Sequence, residues 1–147
     1  MTQTQMYPTD AELLATAAQL SDAFSDRAVE FDQARRLSQD ASDAMAQAGF
    51  YRLFVPEHLG GLEVSPLVSA KIFERLAQGN AACGWVAFIA ATSGSTLGSI
   101  PQDTARTIFS HPNTMVAGVF APSGKATVKA GEVTVEGRWQ WGSGTQN

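Results

Sequence analysis

The chain has 147 residues and a net charge of −4 at pH 7, and this length allows one domain with a buried core. Its Lys and Arg residues form no cluster, which argues against nucleic acid and anionic membranes as partners. With Cys83 as the single cysteine, no internal disulfide is possible, and the reducing cytoplasm is the expected location. The polar first eight residues do not resemble a signal peptide, and the stretch 81–100 carries too many Ser, Thr and Gly residues for an expected membrane span.

The first three quarters of the chain have the periodicity of helices. Thr9 precedes two acidic residues and is a typical N-cap, and apolar residues then recur every three or four positions as far as Phe31. Ser38 is a second N-cap candidate, Gly49 is typical of a helix end, and the helical pattern stops at Pro112. The predicted helices cover most of 10–36, 39–48, 66–78, 81–98 and 102–110.

The predicted helix 81–98 has two unlike halves. Its first half is apolar on almost every side, so we expect it to lie centrally in the fold. Its second half is rich in small and hydroxylated residues, which suits either tight helix packing or the close approach of a ligand. Cys83 has no basic neighbour in sequence to lower the pKa of its thiol, so a buried structural role is expected.

Several polar residues are expected to have no catalytic role. His58 lies in a turn between Pro56 and Gly60, where a surface position is the usual outcome. Asp32, Arg35 and Arg36 are interpreted as solvated charges, and the basic pair suits a helix C-terminus.

The periodicity changes from helix to strand after Pro112. Val133 and Val135 alternate with polar residues, as in a half-exposed strand, and Ala130-Gly131 is typical of a tight hairpin turn. The predicted strands lie near 115–120, 126–130 and 132–138.

The last 30 residues carry groups that suit a flat aromatic cofactor. The predicted strand 115–120 ends in Ala121-Pro122-Ser123-Gly124, where Pro and Gly stop the strand and expose backbone N–H groups. Trp139 and Trp141 then stand beside the hydroxyl of Ser143 in a bend flanked by glycines. An indole can cover a planar ring, and a hydroxyl or backbone N–H can hydrogen-bond to its edge.

The motifs of several other chemistries do not occur in the sequence. It has no Gly-x-Gly-x-x-Gly, no Walker lysine loop and no His-Glu-x-x-His. Two histidines and one cysteine do not make an ordinary zinc site, so no metal is expected. Neither histidine lies near a credible nucleophile, which leaves no Ser-His-Asp triad.

Together these features resemble the acyl-CoA dehydrogenase superfamily and, within it, the flavin-dependent monooxygenases or two-component hydroxylases. The resemblance rests on the Trp141-Gly-Ser143 step, the Pro-Gly loop, Val55–Gly61 and Cys83-Gly-Trp-Val86, and it covers roughly residues 9 to 147. True acyl-CoA dehydrogenases carry Thr-Glu-Pro-Gly-x-Gly-Ser-Asp at the loop. Here Ala121 replaces the Glu and no Gly-Ser-Asp follows, which favours the monooxygenase branch.

The resemblance implies a mainly α chain with a β portion. An N-terminal helical bundle would occupy residues 1–112, and residues 113–147 would be the incomplete start of a middle β-barrel domain. In the family a second helical bundle follows. We therefore expect this chain to be an N-terminal fragment, inactive alone, of a protein that forms a homo-oligomer, typically a tetramer.

The resemblance also implies the cofactor and its contacts. The cofactor would be FMN or FAD, delivered in reduced form by a flavin reductase and used with O2 on a small organic substrate. Ser143 matches the residue that bonds flavin N5 and is the catalytic candidate, whereas Trp85 and Ser93 are the substrate-binding candidates. The positions that match flavin contacts in the family are Val119, Phe120, Ser123, Gly124, Trp141 and Ser143.

Two other functions stay open. The first is an acyl-CoA dehydrogenase that introduces an α,β double bond into an acyl thioester. The second is a non-catalytic helical interaction module, which would leave Trp141 and Ser143 without a role. Many monooxygenases of the branch have a His near Ser93 that contacts a phenolic substrate, so its replacement here leaves N-, S- or other C-hydroxylation open.

Overall fold

The computed structural model describes residues 7–146 and confirms a mainly helical fold with one small sheet. Three short 3-10 helices lie at Phe50–Arg52, Glu57–Leu59 and Ser95–Ser99. The longer elements are α1 (Asp10–Ser25), α2 (Ala28–Ala34), α3 (Gln39–Gln47), α4 (Pro66–Gly79), α5 (Ala81–Gly94), α6 (Gln102–Ile108), β1 (Lys125–Lys129) and β2 (Glu132–Glu136).

The first predicted helix begins as expected but is broken in two. Thr9 caps α1, because its hydroxyl accepts from the backbone N–H of Glu12 and the Glu12 carboxylate accepts from the backbone of Thr9. The chain turns after Ser25, and α2 starts at Ala28. The turn lets Phe24 and Phe31 meet edge to face in the core, with ring centroids 6.2 Å apart.

Arg27, at this break, holds the start of α3 against α2. Its guanidinium pairs with Asp40 at 2.7 Å and with Glu30 at 2.8 Å. It also donates to the hydroxyl of Ser38 at 2.7 Å. Ser38 does occupy the N-cap position of α3, but its side chain makes no cap hydrogen bond because it serves Arg27 instead.

The centre of the bundle is the contact between α4 and α5. Ile72 and Leu76 from α4 and Cys83 from α5 are fully buried there. Gly84 permits the close approach, since a Cβ atom added to it would lie 2.7 Å from the Cβ of Ala77. Real Cβ contacts are never that short, so no other residue fits without a shift of the two helices.

The helical stretch Ala81–Ser99 is long and apolar enough in composition to cross a membrane, although its Ser and Thr residues led us to expect otherwise. It is the one such stretch in the part of the chain that the structure describes. Within the fold, α5 packs against α4 and Phe50–Arg52 and buries Cys83 and Ala90 completely. Its apolar character is therefore that expected of a core helix.

The β portion is a single hairpin. β1 and β2 pair antiparallel with Lys125 opposite Glu136, and the turn places Ala130 and Gly131 at φ values of 51° and 85°. The expected turn is thus confirmed, with both central residues in the left-handed region. The strand predicted near 115–120 is wrong, because no strand among residues 7–146 lies beside this segment to pair with its backbone.

We expect Gly84→Val to destabilise the fold. The three added carbon atoms would force α4 and α5 apart, and overpacking of a filled core usually costs about 1–3 kcal/mol. Gly98→Val is the matched control, since no atom lies within 4 Å of a Cβ built at Gly98. Urea unfolding followed by circular dichroism measures both. Equal losses of unfolding free energy in the two variants would contradict the role given to Gly84.

Candidate functional site

The helix α5 has a buried face and an outer face. Its buried face is made of small residues and packs into the core. Its outer face bears larger and hydroxylated side chains at helical spacing, namely Trp85, Phe88, Ile89, Thr92 and Ser93. The predicted substrate-binding candidates, Trp85 and Ser93, therefore lie on one surface of one helix.

Arg52 fixes the segment that follows α6. Its guanidinium donates to the carbonyl oxygens of Phe109, at 3.0 Å, and His111, and it lies over the Phe109 ring with its Cζ 5.1 Å from the centroid. Partial burial lowers the pKa of Arg52 from its usual range by desolvation. Sequence reasoning missed this residue. The available signal was one cation within the apolar run 50–55.

Two further hydrogen bonds hold the same segment to the helices. The side-chain amide of Asn113 donates to the carboxylate of Asp43 at 2.7 Å, and the hydroxyl of Thr114 donates to the carbonyl of Ile108 at 3.0 Å. Residues 115–120 leave these anchors and run past the outer face of α5.

The bend around Ser143 lies against the same face. Trp141 has a φ of 66°, and the backbone N–H of Ser143 donates to its carbonyl at 2.9 Å. Gly144 packs so closely that a Cβ atom there would lie 2.9 Å from the Cε of Met115 and 3.7 Å from the Cγ2 of Ile89. This contact places Ser143 beside α5.

These three parts line an open cavity of about 480 Å³, which we call the aromatic cavity. This volume lies within the range of about 300–1,000 Å³ that is usual for small-ligand sites. Of the residues predicted from the sequence, it brings together Trp85, Ser93, Val119, Phe120, Trp141 and Ser143. Residues more than 50 positions apart in the chain therefore share one cavity.

Ser123 and Gly124 do not line this cavity. The hydroxyl of Ser123 donates to the carbonyl of Arg138 at 3.3 Å, beside the hairpin. Gly124 packs under the indole of Trp139, where an added Cβ would lie 2.3 Å from a ring carbon. The structure thus brings together the residues expected to contact the flavin ring. It separates them from Ser123 and Gly124, which are expected to lie towards the flavin phosphate.

The aromatic cavity has apolar walls and two available hydroxyls. None of the described residues that line it is charged. The Thr92 hydroxyl donates to the carbonyl of Phe88 at 2.7 Å, whereas the hydroxyls of Ser93 and Ser143 bond to no group within residues 7–146. Phe120 and Trp141 leave 94% and 90% of their surface exposed, which is unusual for large aromatic side chains unless a ligand or another segment covers them.

Two residues that sequence analysis set aside are indeed outside the site. Cys83 is completely buried, and desolvation raises the pKa of its thiol to about 12, so it is no nucleophile at neutral pH. His58 is exposed on the 3-10 helix Glu57–Leu59. The described residues also contain no group of His, Cys, Asp and Glu side chains that could hold a metal ion.

Comparison with known proteins gives a family and a set of relatives. The model of the acyl-CoA dehydrogenase N-terminal domain matches residues 8–102. The chain is 36% identical to an indole-3-acetate monooxygenase of Pseudomonas putida over 86% of this chain and 33% of that protein. It is 30% identical to the oxygenase subunit of the flavin-dependent monooxygenase HsaA of Mycobacterium tuberculosis, over 96% of this chain and 36% of that protein.

Solved structures agree with these relatives. The crystal structure of HsaA from M. tuberculosis superposes with a TM-score of 0.88 at 28% identity, covering 95% of this chain and 37% of that one. XiaF from Streptomyces, solved with FADH2 and glycerol, gives a TM-score of 0.79 at 26% identity, covering 90% and 34%. The chain spans about a third of the length of the curated relatives it matches.

The burial of Cys83 predicts how its thiol reacts and how stability depends on pH. A thiol reagent at pH 8 should label Cys83 at least tenfold more slowly in the folded protein than in guanidinium chloride. Because folding raises the thiol pKa, the associated stability is complete below the ordinary pKa of about 9 and is lost as pH rises towards 12. Cys83→Ala should remove that part of the alkaline loss. Rapid stoichiometric labelling of the folded protein would contradict the assignment.

Proposed function

The chain belongs to the acyl-CoA dehydrogenase family, and from this premise we propose that it contributes to a flavin-dependent monooxygenase that hydroxylates a small organic substrate with reduced flavin and O2. The aromatic cavity is the observation that carries the proposal, because six candidate residues from distant parts of the chain line it. The names of the two relatives above, both monooxygenases, support the same activity. The FADH2 recorded with XiaF supports a reduced flavin as the cofactor.

The aromatic cavity suits the ring of a flavin. Phe120 and Trp141 offer exposed aromatic surfaces for a planar ring, and the backbone of Val119 offers polar groups to its edge. The hydroxyl of Ser143, which bonds to no group within residues 7–146, would hydrogen-bond to a ring nitrogen. We propose Ser123 and Gly124 as contacts further along the cofactor, towards its phosphate.

The chain's own residues would provide a dry and ordered site for the reaction. When bound, reduced flavin supplies the two electrons that activate O2. The apolar side chains of Trp85, Phe88 and Ile89 would exclude water once flavin and substrate fill the cavity, and this exclusion would strengthen every polar contact inside. Ser143 holds a hydrogen bond at the flavin edge. Ser93, on the same face of α5 as Trp85, offers a hydroxyl that would orient the substrate.

The proposal extends to partners, location and domains. The printed description of HsaA as an oxygenase subunit supports a separate flavin reductase as the source of the reduced cofactor. We further propose a homo-oligomer, most simply a tetramer, in the cytoplasm. In this proposal residues 113–147 begin a β domain that follows the helical domain 1–112.

An acyl-CoA dehydrogenase is the second candidate, and the description of the matching family model favours it. The two activities differ in their redox chemistry. A dehydrogenase reduces its oxidised flavin when an acyl-CoA thioester is added, which bleaches the flavin absorbance. A monooxygenase instead yields hydroxylated product from reduced flavin, O2 and substrate, so mixing experiments with each set of reagents separate them.

Ser143→Ala tests the proposed role of the hydroxyl. The variant should still bind reduced flavin, because the aromatic walls remain. Loss of one hydrogen bond to a partly charged group in a dry site costs about 1.5–3 kcal/mol, or roughly 10- to 150-fold in the ratio of product to released hydrogen peroxide. Product and peroxide per O2 consumed by the full-length enzyme that carries this chain are the measurements.

Ser110→Ala is the control for that experiment. Ser110 is exposed and follows the end of α6, and its hydroxyl donates to the carbonyl of Thr107. Ser110 is not among the residues that line the aromatic cavity. It should leave coupling unchanged. If Ser143→Ala also left coupling unchanged, Ser143 would be removed from the site.

A further inference from the structure

A second cavity, of about 470 Å³, adjoins the aromatic cavity, and we call it the arginine cavity. Trp85 and Ser143 line both, so the two spaces meet at this pair of side chains. The arginine cavity lies between the end of α2, which supplies Arg35 and Arg36, and the bend 142–146. Both arginines are exposed, so their guanidinium groups are available to a ligand that extends from the aromatic cavity past Trp85 and Ser143.

The side chains of Arg35 and Arg36 form no ion pair and no hydrogen bond with any other group within residues 7–146. Three other arginines, Arg27, Arg75 and Arg106, each pair with a carboxylate at 2.7–3.1 Å. Asp32 also lines the arginine cavity, yet it pairs with neither neighbouring arginine. Two positive charges and one negative charge leave the described lining with a net charge of +1, obtained as +2 − 1.

A ligand that fills both cavities needs two unlike ends. The aromatic cavity is uncharged and suits a ring, whereas the arginine cavity suits one negative charge. A guanidinium presents a planar set of N–H donors that matches a carboxylate, often through two parallel hydrogen bonds. Solvated arginines are common on surfaces, but these two share a cavity with Ser143, the residue proposed to act at the flavin.

We infer that Arg35 and Arg36 are specificity-determining residues that bind the carboxylate of the substrate, so that the enzyme takes small aromatic acids in preference to neutral aromatic compounds. This inference rests on the proposed function and specifies its substrate class. The competing occupant is the flavin phosphate. A phosphate monoester carries up to two negative charges, which the net charge of +1 matches less well than a carboxylate.

Binding measurements on the purified full-length protein separate these occupants. The probes are indole-3-acetate, 3-methylindole (the same ring without the carboxylate), FMN and riboflavin (the same flavin without the phosphate). In the double variant Arg35→Gln/Arg36→Gln, affinity for indole-3-acetate should fall roughly tenfold or more. Affinity for the other three probes should stay within twofold. The wild-type protein should prefer the acid to 3-methylindole.

Lys71→Gln is the matched control. Lys71 is an exposed cation on α4 that lines neither cavity. Lys71→Gln removes one positive charge, as each of the two arginine substitutions does, but it changes no residue of the site. The preference for the acid should persist in this variant. High salt should reduce it in the wild type, because screening weakens exposed charge pairs.

Three results would overturn the inference. A wild-type protein without preference for the acid has no carboxylate site. A double variant that loses FMN affinity but keeps riboflavin and acid affinity assigns the arginines to the flavin phosphate. Equal losses for the acid and 3-methylindole indicate a structural role only. The proposed function fails separately, when the arginine-dependent preference is present but reduced flavin and O2 give no hydroxylated product.

Discussion

The close contact of α4 and α5 at Gly84 is the constraint on which the rest of the structure depends. It brings the two helix backbones together so tightly that even one Cβ atom would collide with Ala77. One face of α5 packs in this contact and in the core. The other, outer face of α5 therefore bears Trp85 and Ser93 on the same side of the helix. Residues placed on a rigid core helix hold their geometry better than residues on a loop, which suits a binding wall.

The opposite wall has no regular secondary structure and depends on a few polar anchors. Arg52 binds the carbonyls at the end of α6, and Asn113 binds Asp43, so the segment 115–120 starts from a fixed point. The left-handed conformations at Trp141 and Gly144 then bend the chain so that Ser143 meets α5. The candidate site is therefore a helix face completed by two loop segments, with the polar anchors outside the cavity and the apolar surfaces inside it.

Local signals predicted the helices well, and long-range contacts explain the errors. The Thr9 cap and the Gly49 helix end depend on neighbours in sequence, and the structure contains both. At the break between α1 and α2, the side chain of Arg27 pairs with Asp40, thirteen residues away, and no helical pattern reveals this contact. The family resemblance identified six candidate residues from distant parts of the chain. The structure brings these six residues together in one cavity. Arg52 was missed because the carbonyl oxygens that it binds, those of Phe109 and His111, are more than 50 residues away in the chain.

The central claim is that the aromatic cavity binds the flavin ring against α5. A crystal structure of the full-length protein with reduced flavin, grown without oxygen, tests it most directly. The account predicts the ring between the outer face of α5 and residues 118–120, with a ring nitrogen about 2.7–3.2 Å from the Oγ of Ser143. A ring bound elsewhere, with the space between Trp85 and Phe120 filled by other protein atoms, would contradict it.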